Sequence, residues 1–494
     1  MDISFDGIPD NTRTPGAFME IDHTQAGGVG TEQHRLLLIG QRNASSTGVL
    51  HEAVRMGSQA DDQAATLWGA GSMLHSMAKA ARAANANVDI WAVALDTSAS
   101  GNDAATGLIR FTDGTALENG MVNLYIAGTA VRIPVSVGDT SDDLAWELTV
   151  KINGMPELPV RATYSTGNVG AADCSLQCKW AGAIGNLVTI RLNHYSGETT
   201  PAGVVITTTA FLQEGNGLID ITPALDAIVA QQYYSIACPF IDPDTLVELE
   251  TEMDRRYGPM VSKTGHVFNV LNAPHSALTS FGNSRNSPHL STLGGWGFLT
   301  APWVIGAVWA TVVEYYGSQD PARPFTTLPL PGVLAPHEKD LFDREERNQL
   351  LYDGISTFTV SQSGQVLIEQ VITNYQVNSY NLPDEAYLKL NTKWTVDYMR
   401  ERFCNAVVAA FPRYKLGDYS APGQPVATVE SVRGVLVAEA IKLNNEGLLE
   451  DLENFKATLI VQRSTTNKNR INAVLSPNLV NQFDIFVGSI KFII

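Results

Sequence analysis

The sequence predicts an α/β protein of several domains (α+β multidomain): an interrupted α/β core with parallel strands, an inserted mostly-β domain, and a C-terminal α+β domain, with extended arms at both ends. Three observations carry this expectation. Short apolar runs alternate with amphipathic helical stretches over residues 34–97 and again over 217–355, the rhythm of βαβ units in a parallel sheet. Between them, from 98 to 216, that rhythm gives way to short runs split by Gly, Asp, Asn and Thr, the pattern of a mostly-β insertion. The last fourteen residues, NQFDIFVGSIKFII, are far more apolar than a chain end left in water. A length of 494 residues agrees, because single cores rarely grow beyond about 250–300 residues.

Taken in order, residues 1–33 carry Gly and Pro without a helical period and read as an extended arm. HRLLLIGQ is a buried strand centred on Leu36–Ile39. DDQAATLWGAGSMLHSMAKAARAAN reads as one helix with Leu67, Leu74 and Met77 among its apolar positions, and VDIWAVAL as a second buried strand. In the insertion, MVNLYIAGTAVRIPVSV and GNLVTIRLNHY read as strands. TSDDLAWELTVKINGM reads as a helix capped by Ser141 and carrying Leu144 and Leu148.

After residue 217, PALDAIVAQQ is helical and YYSIACPF a strand. PDTLVELETEMDRRYG is a helix with Pro243 early and Gly258 just past its end, and GHVFNVLNAP is another strand. The uncharged stretch 293–313, LGGWGFLTAPWVIGAVWATVV, nearly has the length to span a bilayer. Gly294, Gly295, Gly297, Gly306 and Pro302 interrupt it, so it is expected to be a Gly-rich loop entering a buried helix, Trp303 to Tyr316, of a soluble chain.

Residues 356–480 form a further segment. It opens with two strands turned at Ser363-Gly364, followed by a long helix stopped by Pro412 and a loop at 417–425. A helix then presents Val429, Val432, Leu436, Ala440 and Leu443 as one stripe, with Gly447 closing it. Residues 481–494 are a final strand arm.

With 33 basic against 51 acidic residues the net charge is −18, which argues against direct binding of nucleic acid or an anionic membrane, since both need clustered Lys and Arg. The four cysteines, Cys174, Cys178, Cys238 and Cys404, make no disulfide framework and read as reduced thiols of a cytosol-made protein. The opening MDISFDGIPD has neither the basic nor the apolar region of a secretory signal.

The search for chemistry assigns no catalytic residue, no cofactor and no metal. The chain has no Gly-Lys dipeptide and so no P-loop, and it has no G-x-S-x-G elbow. His51-Glu52 and His337-Glu338 lack the second histidine of H-E-x-x-H. GAG at 69–71 lacks a third glycine and is expected mid-helix rather than at a phosphate-binding turn. Cys174, Cys178 and His194 are metal-ligand types, yet cysteines four apart on a strand share one face and suit burial equally. His266 opens an apolar strand as a core or edge histidine, with His275 and His289 close behind it. DREER at 343–347 reads as a solvated or ion-paired helix face.

Three stretches together resemble contractile bacteriophage tail sheath proteins, the Mu-like family in particular, relatives of which occur in pyocins and type VI secretion. They are ISFDGIPDNTRTPGAFMEID at the start; LPLPGVLAPHEKDLFDREERNQLLYDGISTFTVSQSGQVLIEQVITNYQ at 328–376; and DEAYLKLNTKWTVDYMRERF after it. Gln370 stands where the family pattern leads one to expect Arg. The resemblance implies a structural protein of the virion tail, made in the host cytoplasm, that assembles with itself as stacked hexameric rings in a helical polymer. Its implied partners are the tail tube, baseplate and tail terminator proteins. Contraction of the polymer drives the tube through the host envelope. The resemblance also implies that the conserved N- and C-terminal parts face the tube, that the insertion faces outward, and that the terminal arms add strands to sheets of neighbouring subunits.

On that reading the intersubunit arm residues are Phe5, Ile8 and Phe18 at one end and Phe483, Ile485, Val487, Ile490, Phe492 and Ile494 at the other. Together with Phe486 and Ile493, the tail side chains occupy both alternate faces, whereas a strand wetted on one side alternates. Burying eight of them is worth roughly 12–24 kcal/mol, and ordering twelve residues costs about as much for the backbone alone. Such a tail needs a preformed sheet edge, in its own subunit or a neighbour's. Two other readings stand beside the sheath: an α/β enzyme such as a hydrolase working at the carboxyl ends of the parallel strands, and another tail or baseplate component. A tube protein is disfavoured by the length of this chain.

Overall fold

The Leu36–Ile39 run is the centre of β1 (Arg35–Gln41), completely buried from Leu36 to Ile39. The computed structural model describes residues 34–96, 102–112, 114–166, 171–419 and 423–493. The described chain divides into two units, His34–Asp397 with the tail from Asn481, and Tyr398–Val480. In the first unit β1 is followed by β2 (Ala53–Met56), α1 (Ala60–Trp68), α2 (Met73–Ala84) and β3 (Asp89–Leu95). β3 lies parallel to β1, with Leu36 beside Ile90, and β2 runs antiparallel along the outer side of β3.

The single helix expected over DDQAATLWGAGSMLHSMAKAARAAN is in fact two. Gly69 and Gly71 take φ values of 89° and 75°, a region that favours glycine, and a Cβ on Gly71 would meet the Leu158 carbonyl at 2.3 Å. Ser72 then caps α2 by accepting from the His75 amide. The GAG sequence therefore marks the break between two helices, not a mid-helix position.

The chain next leaves the sheet for β4 (Thr106–Thr112), β5 (Gly120–Ile126), β6 (Thr129–Val135), α3 (Ser141–Asn153), β7 (Val160–Thr166), β8 (Ala171–Cys178), β9 (Ile190–Leu192) and β10 (Val205–Thr208). These strands make two small sheets, in the orders β10-β4-β8-β7 and β6-β5-β9. α3 buries Leu144, Leu148 and Ile152. Its cap is Thr140 rather than Ser141: Thr140 and Asp143 form a reciprocal capping box, so the helix starts one residue earlier than expected.

The chain returns through α4 (Thr222–Ala227), β11 (Ser235–Ala237), α5 (Pro243–Tyr257), β12 (His266–Asn272), α6 (His275–Asn283), β13 (Leu290–Gly295), α7 (Pro302–Gln319), β14 (Pro329–Leu334), α8 (Arg344–Tyr352), β15 (Ile355–Val360) and β16 (Gln365–Gln370). The result is a nine-stranded sheet ordered β14-β16-β15-β13-β12-β11-β1-β3-β2. It is parallel from β15 through β13, β12, β11 and β1 to β3, and antiparallel at both margins.

The sheet requires two corrections. The β15–β16 hairpin, turned at Gly364 (φ 79°), is part of this sheet and not of the segment that follows, so the core runs past residue 355. The division of the chain falls at Asp397–Tyr398, inside α9 (Leu390–Ala410). The uncharged 293–313 stretch contains the end of a strand as well as a loop and a helix. Gly294 belongs to β13 because a Cβ there would sit 2.5 Å from Ile355 of the neighbouring strand. Among the described residues no helix is long and apolar enough to cross a membrane.

The second unit holds the C-terminal part of α9, β17 (Lys415–Leu416), β18 (Val426–Ala427), α10 (Val429–Asn445), β19 (Leu449–Glu450), α11 (Leu452–Thr458), β20 (Ile460–Arg463), β21 (Ile471–Val474) and β22 (Asn478–Leu479). α10 buries Val432, Leu436, Ala440 and Leu443, while Phe403 stacks on Phe455 with ring centres 5.8 Å apart. Three two-stranded ladders complete it: β17–β18, β19–β22 and β20–β21.

Candidate assembly surfaces

In an open parallel sheet, ligands bind beyond the carboxyl ends of the strands, where the order reverses. Here that point lies between β1 and β11, and the insertion fills it. Gln41, the last residue of β1, donates from Nε2 to the Ala181 carbonyl at 2.8 Å, and the Ala44 amide donates to the Lys179 carbonyl at 3.3 Å. Lys179 reaches back to the carbonyls of Ala70 (3.2 Å) and Pro156 (2.6 Å), and Trp180 packs edge-on against Trp303. A hydrolase would need this crevice open.

The chemistry-bearing residues are built into the packing. His266 is fully buried, contacts Ser291 Oγ at 2.7 Å through Nε2, and is held well below the usual histidine range by burial. His275 Nε2 lies 3.1 Å from the Glu346 carbonyl, and His289 lies 3.3 Å from Asp254. Burial pushes the Cys174 and Cys178 thiols up to about 11 and about 12, which makes both poor nucleophiles. His194 packs instead against Tyr125, Tyr195 and His337. Among the described residues no group of three or more His, Cys, Asp and Glu side chains is placed to hold a metal ion. In DREER, Asp343 and Glu346 form the capping box of α8, and Arg347 bonds Glu369 at 2.8 Å and the Phe342 carbonyl at 2.6 Å.

The tail is different. Its root is tied to the first unit: Gln482 Nε2 donates to the Ala322 carbonyl at 3.3 Å, and Asp484 pairs with Lys389 while accepting from Gln370 Nε2 at 3.2 Å. Gln370, at the position where Arg was expected, thus has a partner. Beyond Asp484, through residue 493, the chain belongs to no strand and makes no ladder with the described residues of its own subunit. Phe483, Ile485, Phe486, Val487, Ile490, Phe492 and Ile493 are between 77% and 99% exposed. A closing strand of the chain's own C-terminal sheet does not form from these residues; the last strand is β22, paired with β19. Ile494, and Phe5, Ile8 and Phe18 of the other arm, lie outside the described residues.

Among the described residues, β20 and β21 of the second unit pair only with each other, with Ile460 54% and Val474 56% exposed. A lone two-stranded ribbon is marginal in water and gains from a third strand. The sequence suggests only a final β-like run before the tail; the pairing of β20 with β21 is a property of topology.

Comparison with known proteins defines the class first. Residues 214–374 match the model of the phage tail sheath protein central domain, and 383–493 that of the phage tail sheath C-terminal domain. The Mu-like prophage FluMu tail sheath protein of Haemophilus influenzae is 36% identical over 498 aligned positions, covering 100% of both chains. Solved sheath tail proteins of Desulfitobacterium hafniense (14% identity, TM-score 0.49, covering 94% of this chain and 100% of that one) and Listeria innocua (13%, 0.48, 91% and 93%) are also similar. The chain belongs to the phage tail sheath protein family and is a structural protein, not an enzyme. The resembling stretch at 384–403 lies inside the second matched segment, and that at 328–376 lies inside the first up to residue 374.

Proposed function

We propose that the protein forms the sheath of a contractile phage tail, polymerising with itself as stacked six-fold rings around a tail tube. Shortening of the polymer drives the tube through the host envelope, with baseplate and terminator proteins bounding it at its ends. The conserved N- and C-terminal parts face the tube and the insertion faces outward. The subunits are held by their terminal arms: the tail of one copy adds a strand to the open β20–β21 ribbon of a neighbour, gaining backbone hydrogen bonds and apolar cover at once.

The observation that carries this reading is the tail itself, seven large exposed apolar side chains on a segment that, among the described residues, is anchored by side-chain bonds at Asp484 and Gln482. A variant ending at Gln482 should remain a soluble monomer by sedimentation while the full chain forms long hollow polymers in negative stain. Polymers formed by the shortened chain would remove the arm from the mechanism.

A further inference from the structure

At the seam between the insertion and the core lies a cavity of about 450 Å³, lined among others by Arg191 of β9, Phe211, Trp296, Phe298, Lys339 and Asp340. In a chain of net charge −18 a base normally finds an acid. Arg110 pairs with Asp173, Arg347 with Glu369 and Lys393 with Asp397. Arg191 and Lys339 make no ion pair and donate no side-chain hydrogen bond among the described residues, although they line the same cavity. Two cations outside any such ion pair, against the single acid Asp340 and beside three aromatic rings, form a surface suited to an acidic segment with an apolar anchor.

The insertion presents such a segment. The outer face of α3 exposes Trp146 (58%) and Val150 (53%), one turn apart, with Asp142 and Asp143 one turn earlier. Tyr164 braces Trp146 edge-on at 5.6 Å and donates its hydroxyl to Asp142 Oδ1 at 3.0 Å. Asp143 uses Oδ2 for its capping bonds to Thr140. Each carboxylate keeps its other oxygen outside those bonds.

We infer that the α3 face of one copy docks into the β9 cavity of a second copy. Trp146 provides the apolar anchor, and Asp142 and Asp143 provide the acids for Arg191 and Lys339. Donor and acceptor are different surfaces, so the contact is head-to-tail and builds a ring or an open polymer instead of a two-fold dimer. The inference rests on the polymer reading above and adds to it a contact independent of the arms.

The test is zero-length carbodiimide cross-linking of polymers assembled from a mixture of ¹⁴N and ¹⁵N chains. Mixed-isotope peptides joining Lys339 to Asp142 or Asp143 are expected. Lys339→Glu and Asp142→Lys should each raise the critical concentration for polymerisation at least tenfold, and the double variant should return to within threefold of the starting protein. Polymers that lack the mixed-isotope link, or a double variant that fails to recover, overturn this contact while leaving the arm reading intact. A full-length chain that never polymerises overturns both.

Discussion

At the scale of single residues, the second unit depends on Arg402, whose guanidinium bonds Glu439 at 2.6 Å and Glu446 at 3.1 Å. Glu439 has only 5% of its side chain exposed, so removing its main partner strands a carboxylate. Arg402→Ala should lower stability by about 2–3 kcal/mol in urea unfolding, somewhat less than for a fully buried pair because Lys442 remains. The same group sets a pH response. Burial alone would raise the Glu439 carboxyl, but hydrogen bonds from Lys442 and Arg402 prevail and hold it below its ordinary value of 4.5. A carboxyl held lower in the folded chain than in the unfolded one stabilises above about pH 4.5 and loses that contribution as the pH falls through its folded value. Urea midpoints between pH 3 and 7 should fall on the acid side, and the Arg402→Ala variant should show a shallower fall. A tail residue behaves oppositely. Phe486 is 81% exposed, so Phe486→Asp should leave the melting temperature nearly unchanged while polymerisation is lost.

At the scale of elements, the capping box of α3 supplies a clean measurement. Thr140→Ala removes a bond to the Asp143 amide and should cost about 1 kcal/mol, read from the fluorescence of Trp146 on the same helix. Gly71→Ala, which forces a side chain into a positive-φ position 2.3 Å from a carbonyl, should cost more, about 2–3 kcal/mol. Elements were legible in the sequence where one local force dominated. The four-residue apolar run in β1, the Pro243 start and Gly258 stop of α5, and the turn at Gly364 each announce themselves within a few residues. β2 was not legible, since Ala53–Met56 has no apolar alternation of its own and owes its existence to β3. β13 was hidden because its glycines look like a loop until the closeness of β15 gives them a reason. The seam cavity was equally invisible: Arg191 and Lys339 are 148 positions apart and meet only through the fold.

At the scale of the whole molecule, the sequence conveyed the alternation of α/β core and β insertion but not what the insertion does to the core. Local patterns place the strands; only topology shows that residues 179–181 close over the end of β1 and occupy the crevice where an α/β enzyme would work. Opening that seam with Trp180→Ala, which removes a fully buried side chain packed on Trp303, should cost about 3–5 kcal/mol in unfolding and create no hydrolytic activity. The tail was legible because its composition contradicts its position, a conflict that needs no knowledge of the fold.

That tail is oily on both of its alternating faces, which limits how growth of the polymer begins. In the proposed exchange, a recipient ribbon belonging to one neighbour would cover the backbone edge and one side, leaving the other side wet until a further subunit roofs it. Two copies would then gain little from meeting, whereas a third would complete the enclosure for all. Assembly should show a lag followed by rapid elongation, and preformed ends should abolish the lag.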